Sequence, residues 1–533
     1  MKKMMLSLMI PVIAVAAVLI YLKTPSKTFE QFPAAGNSVI IYEGRISGAH
    51  SPLNADGRIY LPYMFIKEYI DEDIFFDSGY GLVTILYNDE LIRLSGDAII
   101  EKNDTSYISS NILKDIYPLS ISETVSGITI KDERKEHRTA LAIQETYIRH
   151  DSSIKSAYMD KAYTGQTLYI IDESDEWLKV WTIKGSIGYV LRKDTAEIRT
   201  AAPAVAERER TPSALTDKKV FVWEMMYSIP EQPENMTPIQ GIDIISPTWL
   251  QLMDKEGRIR ERIAHWYARK LQEEGILIFP CVTNDFNDPD MTAAFLEDPY
   301  ARERFITDLA DICNEYGFQG INIDFENIYY SKREHFTQFI RELSHYLGRQ
   351  ELVLTVCTGV TGGSLNYSLV YDHKKIGEFA DYIMLMSYDE LPYSGTAVGP
   401  VASLEWLGKK VEEILALVDP CRLYLGIPLY TRVWNVNDEN HYTSIPVSII
   451  RQEQILTENA EGILETDEVT GQSVFRYHKN ETDYLMYIEN TDTMKKRLDI
   501  INRFNIAGAA FWAKNYVEED FFIMIRELIE KRH

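Results

Sequence analysis

The sequence predicts an α/β chain whose C-terminal part is a (β/α)8, or TIM, barrel, preceded by two small modules and an apolar N-terminal segment. Three observations carry this. From Lys218 onward, short apolar runs alternate with helical patterns, as a parallel sheet wrapped by helices requires. Before it, residues 199–217 (RTAAPAVAERERTPSALTD) are rich in Ala, Pro and charge, lack periodicity and read as a linker. Before that lie two stretches of short strands separated by turn residues.

The barrel strands are expected at 220–223, 242–246, 276–280, 320–326, 352–357, 382–388, 423–428 and 508–512, eight in all. Between them, Phe305, Leu309, Cys313 and Tyr316 fall on one helical face. Phe336, Phe339/Ile340, Leu343 and Tyr346/Leu347 repeat the pattern until Gly348 stops it. The barrel domain spans 218–533 with an insertion at about 435–507, in which 473–477 and 484–488 are placed to pair as a hairpin.

A chain of 533 residues exceeds one ordinary core, and 45% hydrophobic with 25% charged residues describes a globular protein. The formal net charge of -25 repels phosphate and disfavours nucleic acid as a partner. Cys281, Cys313, Cys357 and Cys421 form no CxxC or Cys/His cluster, so no metal or cofactor is expected; they read as buried core thiols, with pairing left open.

Lys2 and Lys3 precede an uncharged run from Met4 to Leu22. At 1.5 Å per residue, about nineteen apolar residues can cross a bilayer. Residues 1–23 therefore read as an uncleaved signal anchor, with a cleaved signal as the alternative. The lysines keep the N-terminus in the cytoplasm, so the rest of the chain is expected outside it, anchored to the lipid bilayer.

In 320–326, side chains alternate across a strand. Asn322, Asp324 and Glu326 face one way; Ile321, Ile323 and Phe325 face the other. The apolar set can pack under helices, which turns the polar set into the barrel lumen. Unpartnered carboxylates there cost several kcal/mol or more, so an Asn-Asp-Glu row points to chemistry.

Gln319-Gly320-Ile321-Asn322-Ile323-Asp324-Phe325-Glu326 resembles the strand-four signature of glycoside hydrolase family 18, Asp-Gly-x-Asp-x-Asp-x-Glu. The glycine, last aspartate and glutamate are kept; Gln and Asn replace the first two aspartates, and the form is similar to the bacterial spore-cortex-lytic and germination branch. The second replacement removes a carboxylate beneath Asp324, which bears on the pH profile more than on activity. Met384-Leu-Met-Ser-Tyr-Asp389 resembles the strand-six motif, 426–434 strand seven, 509–512 the last strand and 246–249 strand two. Residues 38–133 resemble an α+β stalk domain compared with the copper amine oxidase N-terminal domain, without copper, and 138–196 an SH3-like domain.

The resemblance implies a substrate-assisted, retaining hydrolase of β-1,4 bonds at N-acetylglucosamine, acting on cell-wall glycan such as peptidoglycan or spore cortex. In it Glu326 is the general acid, its pKa raised by Asp324 and burial. Asp324 and Tyr388 hold the 2-acetamido group, whose oxygen attacks C1; Glu326 then acts as base toward water. Met386, Asp389, Asn322, Tyr430, Arg432 and Trp249 join the substrate pocket, and Trp512 stacks beneath the sugar. The alternatives are a catalytically silent glycan-binding barrel, an envelope scaffold, or a chitinase or endo-N-acetylglucosaminidase acting on other glycans.

Overall fold

The computed structural model describes residues 39–124, 127–203, 219–234, 237–437 and 441–530. The chain divides into two compact units, at Arg210/Thr211. The N-terminal segment expected to span a membrane lies outside the described residues. Among those described, no helix is long and apolar enough to cross one.

In the first unit, Val39–Tyr42 pairs in parallel with Gly127–Asp132, which pairs antiparallel with Leu119–Thr124. Tyr63–Tyr69 and Ser110–Ile116 are short helices. Their Phe65, Ile66 and Leu113 pack with Ile40, Leu61, Val83, Ile85, Ile108, Ile128 and Ile130 into one core. Residues from His137 onward form a separate seven-stranded sheet around Ile148, Leu168, Leu178, Val180 and Val190. The stretch read as linker begins with Arg199–Ala201, a strand antiparallel to His137–Leu141.

The second unit is built on a curled parallel sheet. Its strands are β1 (Lys219–Glu224), β2 (Ile244–Pro247), β3 (Leu277–Ile278, resuming as Cys281–Thr283), β4 (Gly320–Asp324), β5 (Val353–Gly359), β6 (Tyr382–Met386), β7 (Leu423–Pro428) and β8 (Gly508–Trp512). Each pairs in parallel with the next, and β8 returns to β1, so the order closes on itself as a (β/α)8 barrel requires. All eight expected runs contribute a strand. The strand expected to reach Glu326 stops at Asp324, which places Glu326 two residues beyond its end.

Helices α1 (Pro299–Tyr316) and α2 (Arg333–Gly348) flank β4 in sequence. Asp298 caps α1 through the amides of Tyr300 and Ala301, and Gly317 ends it in the left-handed region at φ 65°. The faces predicted from periodicity are the buried ones. Phe305, Leu309, Cys313, Phe336, Phe339, Ile340, Leu343 and Leu347 share one core with Ile321, Ile323 and Phe325. The close-packed sheet also explains Gly320. A Cβ there would stand 2.5 Å from the Val353 carbonyl oxygen.

After β7, Tyr430–Asn435 enters a six-stranded lobe, to which Ser394–Gly395, between β6 and β7, adds the edge strand. Within it Ser473–Lys479 and Thr482–Tyr487 pair antiparallel, the expected hairpin. Cys281, Cys313 and Cys357 are buried free thiols, but Cys421, expected in a core, is exposed. It lies in the 3-10 turn Pro420–Arg422 that leads into β7, outside the apolar layer.

Candidate active site

Alternation along β4 does what the sequence requires. Phe325 is fully buried on the outer side, its ring stacked on Phe339 at 5.6 Å between centroids. Asn322 and Asp324 point into a lumen lined by Phe221, Trp223, Phe279, Cys281, Cys357, Tyr382, Met384 and Tyr424.

Asn322 is 0% exposed, and every partner it has is part of the lumen. Its Oδ1 accepts from Trp223 Nε1 at 2.8 Å and from Cys357 Sγ at 3.4 Å, and its Nδ2 donates to Thr355 Oγ1 at 2.8 Å. The Thr355 hydroxyl donates to the Ile321 carbonyl, so it can only accept from residue 322. An amide supplies that donor and a carboxylate does not. This gives a physical reason for asparagine here. It also corrects the expectation that Asn322 touches substrate: it supports Asp324 from beneath.

Asp324 is 5% exposed. Cys281 Sγ donates to its Oδ2 at 3.8 Å, while its Oδ1 is buried with no hydrogen-bond partner among the described residues. An open carboxylate oxygen inside a barrel is a costly feature that structure alone does not need. Burial pushes the Asp324 carboxyl up to about 6, against the thiols of Cys357 and Cys281, which favour its charged form.

Glu326 is half-buried. Burial first, then the negative charges of Asp324 and Asp389, raise its carboxyl to about 8, so it keeps its proton at neutral pH. Its backbone is gripped by Asn284. Oδ1 of Asn284 accepts from Glu326 N–H at 2.9 Å, and Nδ2 donates to the Glu326 carbonyl at 2.8 Å. The fully buried Tyr371 donates its hydroxyl to the Phe325 carbonyl at 2.8 Å.

Tyr388 follows β6, its ring 6.2 Å from that of Tyr430 in an edge-on arrangement. Burial first, then Tyr430 and the charge of Asp324, push its hydroxyl well up, so it remains a donor. Asp389, left-handed at φ 58°, aims its carboxylate back at the lobe. It accepts from Tyr430 Oη at 2.8 Å and from Arg432 Nη2 at 2.6 Å. Met386 and Trp512 close the lumen from β6 and β8, and Trp512 meets Trp223 edge-on at 6.0 Å. The structure thus brings Asp324, Glu326, Tyr388, Met386, Asp389, Tyr430, Arg432 and Trp512 to one end of the barrel.

Trp249 is the exception. It is fully buried in the layer between strands and helices, against Tyr267 and Phe318, with its indole N–H on Met226 sulfur at 2.9 Å. It has no surface to offer a sugar. It follows β2 as expected but turns outward from the lumen. Conversely, sequence reasoning passed over Asn284, Tyr371 and the placement of Cys281 and Cys357. The only local signal was the polar pair Asn284-Asp285 ending the apolar run of β3.

Residues 289–516 match the family model described as glycosyl hydrolases family 18. This is a likeness to family 18 glycosyl hydrolases over less than half of the chain. The glycosylase YvbX of Bacillus subtilis is 25% identical over 244 residues, 45% of this chain and 70% of YvbX. The cortical fragment-lytic enzyme of the same organism is 22% identical over 242 residues, 44% of this chain and 56% of its own length. The crystal structure of a chitinase from Chromobacterium violaceum superposes with a TM-score of 0.52 at 19% identity, covering 58% of this chain and 99% of that one. At that identity the likeness shows the fold alone. The chain therefore spans little more than half of the cortical fragment-lytic enzyme. The family match begins beyond β3, so Asn284 lies outside it.

Proposed function

We propose that this chain hydrolyses β-1,4 glycosidic bonds at N-acetylglucosamine residues with retention, the sugar's own acetamido oxygen serving as nucleophile. The observation that carries this is the pairing of Glu326, held protonated by burial and by Asp324, with an Asp324 oxygen that has no partner among the described residues. A proton donor stands at the mouth, and an acceptor for an acetamide N–H stands below it.

In the proposed reaction Glu326 protonates the leaving oxygen as positive charge develops at C1. The acetamido oxygen attacks C1 and forms an oxazolinium ring. Asp324 accepts from the acetamide N–H and Tyr388 donates to its oxygen, so both stabilise charge that grows in the transition state. Glu326, now ionised, takes a proton from water, and the water opens the ring from the face the leaving group left. Trp512 offers its half-buried ring as the floor for the sugar, with Met386 beside it. Arg432 and Tyr430 hold Asp389, whose charge helps keep Glu326 protonated.

Peptidoglycan or spore cortex is the proposed polymer, supported by the likeness to the cortical fragment-lytic enzyme. The proposal places the two modules of the first unit, read as stalk-like and SH3-like, at the wall. It places the chain outside the cytoplasm, behind the apolar segment at residues 4–22. The test is Glu326→Gln on a defined N-acetylglucosamine oligomer and on purified cortex glycan. Turnover is expected to fall by roughly 10²–10⁴-fold in a variant that folds at least as stably as the wild type. Near-normal turnover in the variant overturns the assignment.

A further inference from the structure

We infer that Asn284 is a positioning residue that sets where Glu326 stands and how strongly it holds its proton. This rests on the proposal that Glu326 is the acid. The parallel ladder between β3 and β4 ends at the pair Thr283 and Asp324. One residue further, the main chain no longer pairs. There the Asn284 side-chain amide replaces the missing peptide unit, its oxygen accepting from Glu326 N–H and its nitrogen donating to the Glu326 carbonyl, at 2.9 and 2.8 Å. Both backbone groups of the acid are thus satisfied by one side chain.

The clamp is itself fixed. Asn284 is 1% exposed, and its Nδ2 also donates to the buried Thr292 hydroxyl at 3.0 Å. The Glu326 backbone decides which way the amide faces, since its carbonyl can only accept and its N–H can only donate. Around it, Tyr371 holds the Phe325 carbonyl at 2.8 Å, and Asn327, left-handed at φ 51°, donates from its Nδ2 to the Phe286 carbonyl at 2.8 Å. With the Phe325 carbonyl and both backbone groups of Glu326 met by side chains, this strand end is held without being part of a sheet. Catalytic groups need such rigidity, because a displacement of 1 Å can cost about 10²-fold in rate.

Asn284→Asp keeps the acceptor for Glu326 N–H but sets a carboxylate against the Glu326 carbonyl and beside its acid group. Asn284→Ala removes both bonds and lets the acid turn toward water. Turnover of a chitooligosaccharide is expected to fall by roughly 10–10²-fold in both, with KM changing far less than kcat. The basic limb of the pH profile should move in opposite senses: upward for Asn284→Asp, which adds negative charge, and downward for Asn284→Ala, which loses burial. A purely structural role predicts lower thermal stability with an unmoved limb. Native kcat, an unmoved limb in a folded variant, or failure of both variants to fold overturns the inference. Glu326→Gln measured alongside separates the two levels. If it is active, the acid assignment itself fails; if it is inactive while the Asn284 variants behave as wild type, only the clamp fails.

Discussion

Asp324 lies in an apolar lumen with sulfur for company. Cys281 donates to it at 3.8 Å, and burial together with the charge of Asp324 pushes both Cys281 and Cys357 thiols well up, so they keep the protons they donate. A thiol is a weak donor, and Asn322 beneath is neutral and already spent on Trp223 and Thr355. Asp324 therefore stays above the ordinary carboxylate range and ionises near neutrality, at about 6. In the proposed reaction the active form has Asp324 ionised and Glu326 protonated, so activity should rise through about pH 6 and fall through about pH 8. Those limbs belong to the pair rather than to either residue alone. Cys281→Ser offers a stronger donor to the anion and should move the acid limb to lower pH. Cys281→Ala removes the donor and should move it higher. Profiles of kcat/KM against pH check both, and equal limbs in the two variants would show that the thiol does not act on Asp324.

At the scale of elements, β4 is held by what lies outside it. Arg302 on α1 and Glu342 on α2 are both 0% exposed and joined twice, at 2.9 Å (Nε to Oε2) and 3.1 Å (Nη2 to Oε1). Arg302 also donates to the Leu296 carbonyl at 2.6 Å, and Gln338 donates to Glu342 at 2.9 Å. A buried pair adds little net energy when intact but leaves an uncompensated charge when halved. Glu342→Ala should cost about 3–5 kcal/mol by denaturant unfolding, far more than breaking an exposed pair such as Arg451–Glu458. Because α1 and α2 pack on the outer face that carries Phe325, the loss should also slow turnover through the placement of Glu326. Strand alternation and helical periodicity made this arrangement legible in advance. The ion pair was not, since its partners stand 40 residues apart and each looks like an ordinary surface charge on its own helix.

Taken as a whole molecule, the proposed active site is a cost that the fold bears. Glu326 ionises near 4.5 when free and at about 8 in place. Between those values the native state keeps a proton that the unfolded chain has lost, so this group's contribution falls as pH rises from about 4.5 to about 8 and is constant beyond. Glu326→Gln removes the penalty. Its melting temperature should match the wild type below pH 4.5, exceed it increasingly up to about pH 8, and keep a fixed margin above. Thermal scans across that range check the sign; a margin that shrinks with pH would mean that Glu326 is stabilised as an anion.

The sequence by itself determined the eight strands, the helical faces of α1 and α2, the lobe hairpin, and which side of β4 carries the carboxylates. Each follows from a period of about two or four residues, a local property that apolar burial then enforces. Only the tertiary structure decided that Asn322 is sealed beneath the site, that Trp249 faces the helices, that two thiols flank Asp324, and that β4 stops short of Glu326 and hands its backbone to Asn284. Those outcomes depend on which atoms meet across neighbouring strands tens of residues apart, and on where a ladder ends. Neither leaves a periodic trace in the chain.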